Sequence, residues 1–163
     1  MRKFIYKQYK KFRGCTNAES KILNSFIKFF PYKFEYIYLQ FPISNIDYKS
    51  KNFNINLLRD SKFLFSSRID AIFVNNNIWN IVELKQTANL FSLLQVNYYY
   101  NLMRSFFPEK KYSRLIILCH NFDPVTIKHA EFLNIILIQV SPNASTKPNF
   151  LTFNEDYFNK VIN

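Results

Sequence analysis

Residues 68–85, Arg68-Ile69-Asp70-Ala71-Ile72-Phe73-Val74-Asn75-Asn76-Asn77-Ile78-Trp79-Asn80-Ile81-Val82-Glu83-Leu84-Lys85, are two apolar, largely β-branched runs joined by consecutive asparagines. Such runs form strands, and Asn tolerates the positive φ that a tight turn demands. The stretch predicts a hairpin, with Phe63 to Val74 pairing with Ile78 to Lys85 across Asn75-Asn76-Asn77. Counting outward from a loop of about three or four residues sets Asp70 opposite Val82 or Glu83. The longer count makes the two acids direct partners. By strand alternation it also puts Arg68, Asp70, Glu83 and Lys85 on the face that carries Ile72, Val74, Trp79 and Ile81. Ala71, Phe73, Val82 and Leu84 make the opposite face apolar too, so the sheet is covered on both sides.

Upstream of the hairpin, Asn17 to Phe30 carries a helical apolar stripe that Pro31 ends, with Glu19 in its first turn. Phe34 to Phe41 is aromatic and β-branched enough for a strand, and the Asn-rich stretch from Ser44 to Ser61 reads as loop. Downstream, Thr87 to Phe106 has helical periodicity, with Gln95 and Tyr99 one turn apart. Leu115 to Cys119, Pro124 to Leu133 and Ile135 to Val140 read as strand, helix and strand, a crossover unit with parallel strands. The expected class is α/β, a central mixed sheet flanked by helices. The organisation is a basic aromatic segment (residues 1–13), one domain (residues 14–140) and a loosely attached tail (residues 141–163).

A chain of 163 residues, 48% hydrophobic, suits a single core. Lys and Arg total 22 against 11 Asp and Glu, a net charge of +11 that favours polyanionic partners such as nucleic acid. The excess of Lys, Asn, Ile, Phe and Tyr with a single glycine, Gly14, is also what AT-rich codons supply, so charge is weak evidence by itself. Cys15 and Cys119 stand far apart and form neither a disulfide framework nor a zinc pattern. A reducing intracellular compartment is expected, the cytoplasm or an organelle with an AT-rich genome. No apolar run has the length to cross a bilayer, so no membrane partner is expected.

Two carboxylates converging at one end of a hairpin, with a lysine two residues past the second, suit phosphodiester hydrolysis. Hard oxygen ligands hold Mg²⁺ or Mn²⁺, and a neighbouring cation steadies the attacking hydroxide or the developing charge. In this reading Asp70 and Glu83 are ligands, the backbone carbonyl of Leu84 supplies a further oxygen, and Lys85 stands beside the attacking water. The order of Glu19 on a helix, Arg68-Ile69-Asp70, Glu83-Leu84-Lys85 and a helix with Gln95 and Tyr99 resembles the PD-(D/E)XK nuclease superfamily, in particular its RecB-like and NucS/EndoMS-like branches. The likeness covers residues 17 to 140 by element order. It implies a restriction-endonuclease-like core, DNA as partner, Glu19 assisting the metal, and Arg68, Gln95 and Tyr99 contacting substrate or orienting the site. It also implies that two chains pair as a homodimer to cut both strands. Ile69 stands where the family often has Pro, and Asn75 to Asn77 replace the usual turn glycine.

Each of these residues has a plainer reading. Charges on strands are most often surface ion-pair ladders, although apolar neighbours on both faces argue against that here. Arg68 equally suits pairing with a carboxylate, Glu19 suits the helix dipole, and Gln95 and Tyr99 suit a helix surface. Cys119 beside His120 suggests a thiol nucleophile, but cysteine is more often inert packing. The second functional class open to this chain is a nuclease-fold protein without turnover that binds nucleic acid or serves as a subunit of a larger nucleoprotein assembly.

Overall fold

The structure, a computed structural model of the chain, describes residues 12, 14–31, 33–43 and 67–162. The basic segment before Gly14 therefore lies, apart from Phe12, outside the described residues, as do the Ser44–Ser61 loop and the start of the expected strand at Phe63. Six strands form one mixed sheet in the order β1 (Tyr36–Ile43), β2 (Ser67–Asn75), β3 (Ile78–Ala88), β4 (Lys111–Phe122), β5 (Ile135–Gln139), β6 (Asn149–Phe150). β1, β2 and β3 run antiparallel, β3, β4 and β5 run parallel, and β6 returns antiparallel to β5. The helices are α1 (Asn17–Phe29), α2 (Leu90–Phe106), α3 (Pro124–Phe132) and α4 (Glu155–Ile162). Among the described residues no helix is long and apolar enough to cross a membrane.

The central hairpin turns on two residues, because Asn75 and Ile78 are themselves paired. Asn76 and Asn77 have φ of 49° and 61°, the pair of positive values that a type I′ turn requires and that matches the twist of the flanking strands. The turn is thus shorter than expected, yet Val74↔Trp79 and Ala71↔Val82 give the register of the longer count. β3 runs on to Ala88, three residues past Lys85, because its parallel pairing with β4 continues to Ala88↔Phe122. That moves the start of the following helix from Thr87 to Leu90, where Asn89 and Ser92 cap it reciprocally, Ser92 N donating to Asn89 Oδ1 at 3.1 Å and Asn89 N to Ser92 Oγ at 3.3 Å.

Strand alternation divides the core. Ala71, Phe73, Val82, Leu84, Ile116 and Leu118 face Ile22, Leu23 and Phe26 of α1, whereas Ile72, Val74, Trp79, Ile81 and Ile117 face Leu93, Val96 and Met103 of α2. The C-terminal stretch from Ser141, expected to be loosely attached, belongs to the first of these layers. Phe158 and Ile162 of α4 are fully buried there, with Phe158 edge-on to Phe26 at 6.0 Å. Two apolar residues on an eight-residue helix leave almost no periodic signal, but they cover a sheet face that α1 alone leaves open.

Candidate functional site

β2 and β3 part beyond Ala71↔Val82, and the acids stand at that fork. Asp70 Oδ2 accepts from Leu84 N at 2.9 Å, so the aspartate side chain takes the place of the next backbone partner. Gln40 of β1, opposite Asp70, adopts a φ of 50° and donates from Nε2 to Asp70 Oδ1 at 3.4 Å. Alternation fails across this point. Ile69 packs with Ile72 and Val74 rather than with Ala71 and Phe73. Arg68, expected on the acidic face, is exposed and, among the described residues, makes no ion pair with either acid.

Glu83 keeps the alternation of Ile81 and points into the α2 side, only 1% exposed. Lys85 Nζ lies 2.7 Å from Glu83 Oε1. The contact is an ion pair by distance, but its angle leaves both Glu83 oxygens without a directional hydrogen bond. A buried carboxylate with free lone pairs is costly unless a cation or a proton joins it. The proton is favoured in the metal-free protein: burial, then the Asp70 charge, push Glu83 up to about 8 against the pull of Lys85. Asp70 is raised as well, by burial first and by the Glu19 charge, with the Leu84 N–H opposing. Burial alone would lower Lys85, but Glu83 and Asp70 outweigh it and hold its pKa above the usual value.

Two helices close the fork. In α1, Glu19 accepts from Thr16 N at 2.7 Å while Thr16 Oγ1 accepts from Glu19 N at 3.2 Å, a capping box that fixes the first turn. Glu19 therefore has the structural role and also sits near enough for its charge to reach Asp70. In α2, Gln95 Nε2 donates to the Tyr99 hydroxyl at 3.0 Å, and Tyr99 is buried, its pKa raised by burial and, against the Gln95 bond, by Glu83 and Asp70. Glu19, Asp70, Glu83, Lys85, Gln95 and Tyr99 thus converge, and Arg68 does not join them.

Two further residues belong to this cluster. Gln40 is the polar residue inside an otherwise aromatic strand, and that oddity was its only sequence signal. Cys15 is buried beside it, its thiol pushed up to about 11 by burial and by the charges of Glu19 and Asp70, so it is no thiolate nucleophile. Gly14, with φ of 89°, lets the chain pass close by, since a Cβ there would meet Gln40 Cγ at 3.0 Å. Cys119 is fully buried and raised to about 12 by burial, which fits inert packing. His129 is exposed on α3. Among the described residues no three His, Cys, Asp or Glu side chains cluster as a metal site by themselves.

Comparison with protein-family models, with curated proteins and with solved structures gave no match.

Proposed function

We propose that the chain is a metal-dependent nuclease that hydrolyses DNA phosphodiester bonds at Asp70, Glu83 and Lys85. One observation carries this reading: a fully buried glutamate with two oxygens free of hydrogen bonds, set beside an aspartate and a lysine where two strands part. Residues of that kind fit a divalent cation. Asp70 and Glu83 would hold Mg²⁺ or Mn²⁺, and the Leu84 carbonyl would join them, because in an extended strand it points to the same side as the N–H that meets Asp70. The ion, when bound, supplies charge neutralisation at the phosphate and a lowered pKa for water. The element order from α1 to β5, with parallel β3, β4 and β5, is similar to the restriction-endonuclease-like core.

The chain's own groups divide the work. Lys85, kept cationic by its neighbours, steadies negative charge on the attacking oxygen or the phosphate. Gln40 and the Leu84 N–H orient Asp70. The Gln95–Tyr99 pair, packed beside Glu83, presents polar atoms to substrate phosphate or holds the glutamate in place. Labelled DNA incubated with a Mg²⁺ and Mn²⁺ series tests the reading. Cleavage should fall at least about a hundredfold in Glu83→Ala and Lys85→Ala while DNA binding persists. Undiminished metal-dependent cleavage by both variants would refute the assignment.

The direct Lys85–Glu83 contact favours a second reading, a site closed by its own ion pair in a protein that binds nucleic acid or joins a nucleoprotein assembly without turnover. Salt-sensitive binding with no cleavage at any metal concentration would select it.

A further inference from the structure

α2 carries the site on one edge and bare apolar surface on its outer face. Leu90, Phe91, Leu94 and Tyr98 are exposed, Phe91 at 78% and Leu94 at 62%. At 100° per residue they form one stripe over the first turns of the helix. Gln95 is a helical neighbour of both Phe91 and Tyr98 and is bonded to Tyr99, while the Tyr98 and Tyr99 rings lie 6.1 Å apart. The stripe therefore runs directly into the fork that holds Asp70 and Glu83. The exposed Val125 and Phe132 of α3 differ, because exposed Lys128 and His129 separate them on the same face.

The far end of α2 is cationic. A cavity of about 360 Å³ is lined by Tyr100, Arg104, Pro108, Lys110 and Tyr112. Its walls are fixed from within: the Tyr112 hydroxyl donates to the Met103 and Phe107 carbonyls, and Arg104 lies over the Tyr100 ring at 5.6 Å. Arg104 and Lys110 are both exposed, and the only acid close to Lys110 is the exposed Glu109, at 3.8 Å.

We propose that the outer face of α2 binds single-stranded nucleic acid, with bases stacked on Phe91 and Tyr98 and a backbone phosphate held by Arg104 and Lys110. The proposal rests on the nuclease reading and names its substrate class. A duplex presents phosphates outward and keeps its base faces covered, so an apolar aromatic stripe gives it nothing to bind. A single strand offers both partners at once, base faces for the rings and phosphates for the cations, on a chain with a net charge of +11. A second copy of the chain is a poorer occupant, since a stable protein interface takes about 20–30 residues a side and the stripe supplies few.

Fluorescence anisotropy with a labelled oligothymidylate of about twelve nucleotides, and with a duplex of equal length, tests this in EDTA, where no turnover intervenes. The single strand should bind more tightly than the duplex. Phe91→Ala and Tyr98→Ala should each weaken it roughly 10- to 100-fold without flattening its salt dependence. Tyr98→Phe, which keeps the ring, should bind like the wild type. Arg104→Ala with Lys110→Ala should instead reduce the salt slope by about one to two. Equal affinity for both nucleic acids would overturn the proposal, as would unchanged binding in a Phe91→Ala/Tyr98→Ala double variant. Light scattering that shows a dimer lost in that double variant would also overturn it, by assigning the stripe to a second copy. Cleavage plays no part in the readout, so a chain that binds single strands in this way but never cuts leaves the α2 surface standing and removes the nuclease reading.

Discussion

Glu83 couples the acidity of the solvent to the stability of the fold. Its pKa of about 8 in the folded protein compares with an ordinary value of 4.5, so the native state holds a proton that the unfolded chain releases between those limits. The stabilisation is present in full below the lower value and is lost as pH rises through the higher one, a change on the order of a few kcal/mol. Asp70 is shifted in the same direction, whereas Lys85 titrates far above this window. Urea denaturation of metal-free protein should therefore show stability falling from about pH 5 to pH 9, with the slope largely removed in Glu83→Gln. Equal slopes in the two proteins would show that this carboxyl is not protonated in the fold. A divalent ion bound at Asp70 and Glu83 must displace that proton. Mn²⁺ should accordingly bind more tightly, and raise the midpoint more, at pH 8 than at pH 6. Calorimetric titration at the two pH values checks this, and affinity independent of pH would place any bound ion elsewhere.

At the level of elements, the hairpin was legible because its signals agree: β-branched runs, an asparagine tract and a face pattern that admits few registers. The loop count was wrong by a residue or more, yet the register survived, because pairing Asn75 with Ile78 lengthens the ladder without sliding it. What escaped was the local failure of alternation at Asp70. Gln40 at positive φ and the Leu84 N–H both answer the aspartate, and no periodic pattern encodes a side chain replacing a backbone partner. Two elements invite tests. Asn77→Gly should stabilise the hairpin by about 0.5 kcal/mol or leave it unchanged, because Asn-Gly is the favoured type I′ pair, whereas Asn76→Val should cost at least about 1 kcal/mol. The reverse order in thermal denaturation would mean the turn is of another type. Gly14→Ala meets both a positive φ and Gln40 Cγ at 3.0 Å, so it should destabilise the fold by about 1 kcal/mol or more. It should also reduce activity beyond that loss by disturbing the Gln40–Asp70 contact, and assays under fully folded conditions separate the two effects.

For the whole molecule, the sheet is covered by α1 with α4 on one side and by α2 with α3 on the other, and the candidate site occupies the fork between the layers. The two sides are not equivalent. α2 supplies Tyr99 and the exposed stripe, and α1 brings Glu19, whereas α4 contributes no residue to the site. Its contribution is burial: Phe158 meets Phe26, Phe30 and Phe34 with ring centroids 6.0, 5.7 and 6.5 Å away, and Phe26 stacks on Phe73 of β2 at 5.7 Å. The C-terminal helix thereby reaches the strand that carries Asp70 through one layer of rings. Phe158→Ala leaves a cavity the size of a benzyl group among rings that cannot collapse into it, and should cost about 3–5 kcal/mol. Because Phe73 is the third residue beyond Asp70 on a strand whose far end pairs only with β1, the loosening should spread to the fork. Hydrogen exchange at the Leu84 amide, which is held by Asp70, should accelerate in Phe158→Ala by the full loss of global stability. An amide that keeps its protection while the global stability falls would mean that the fork is held by α1 and α2 alone and that α4 is a dispensable cover.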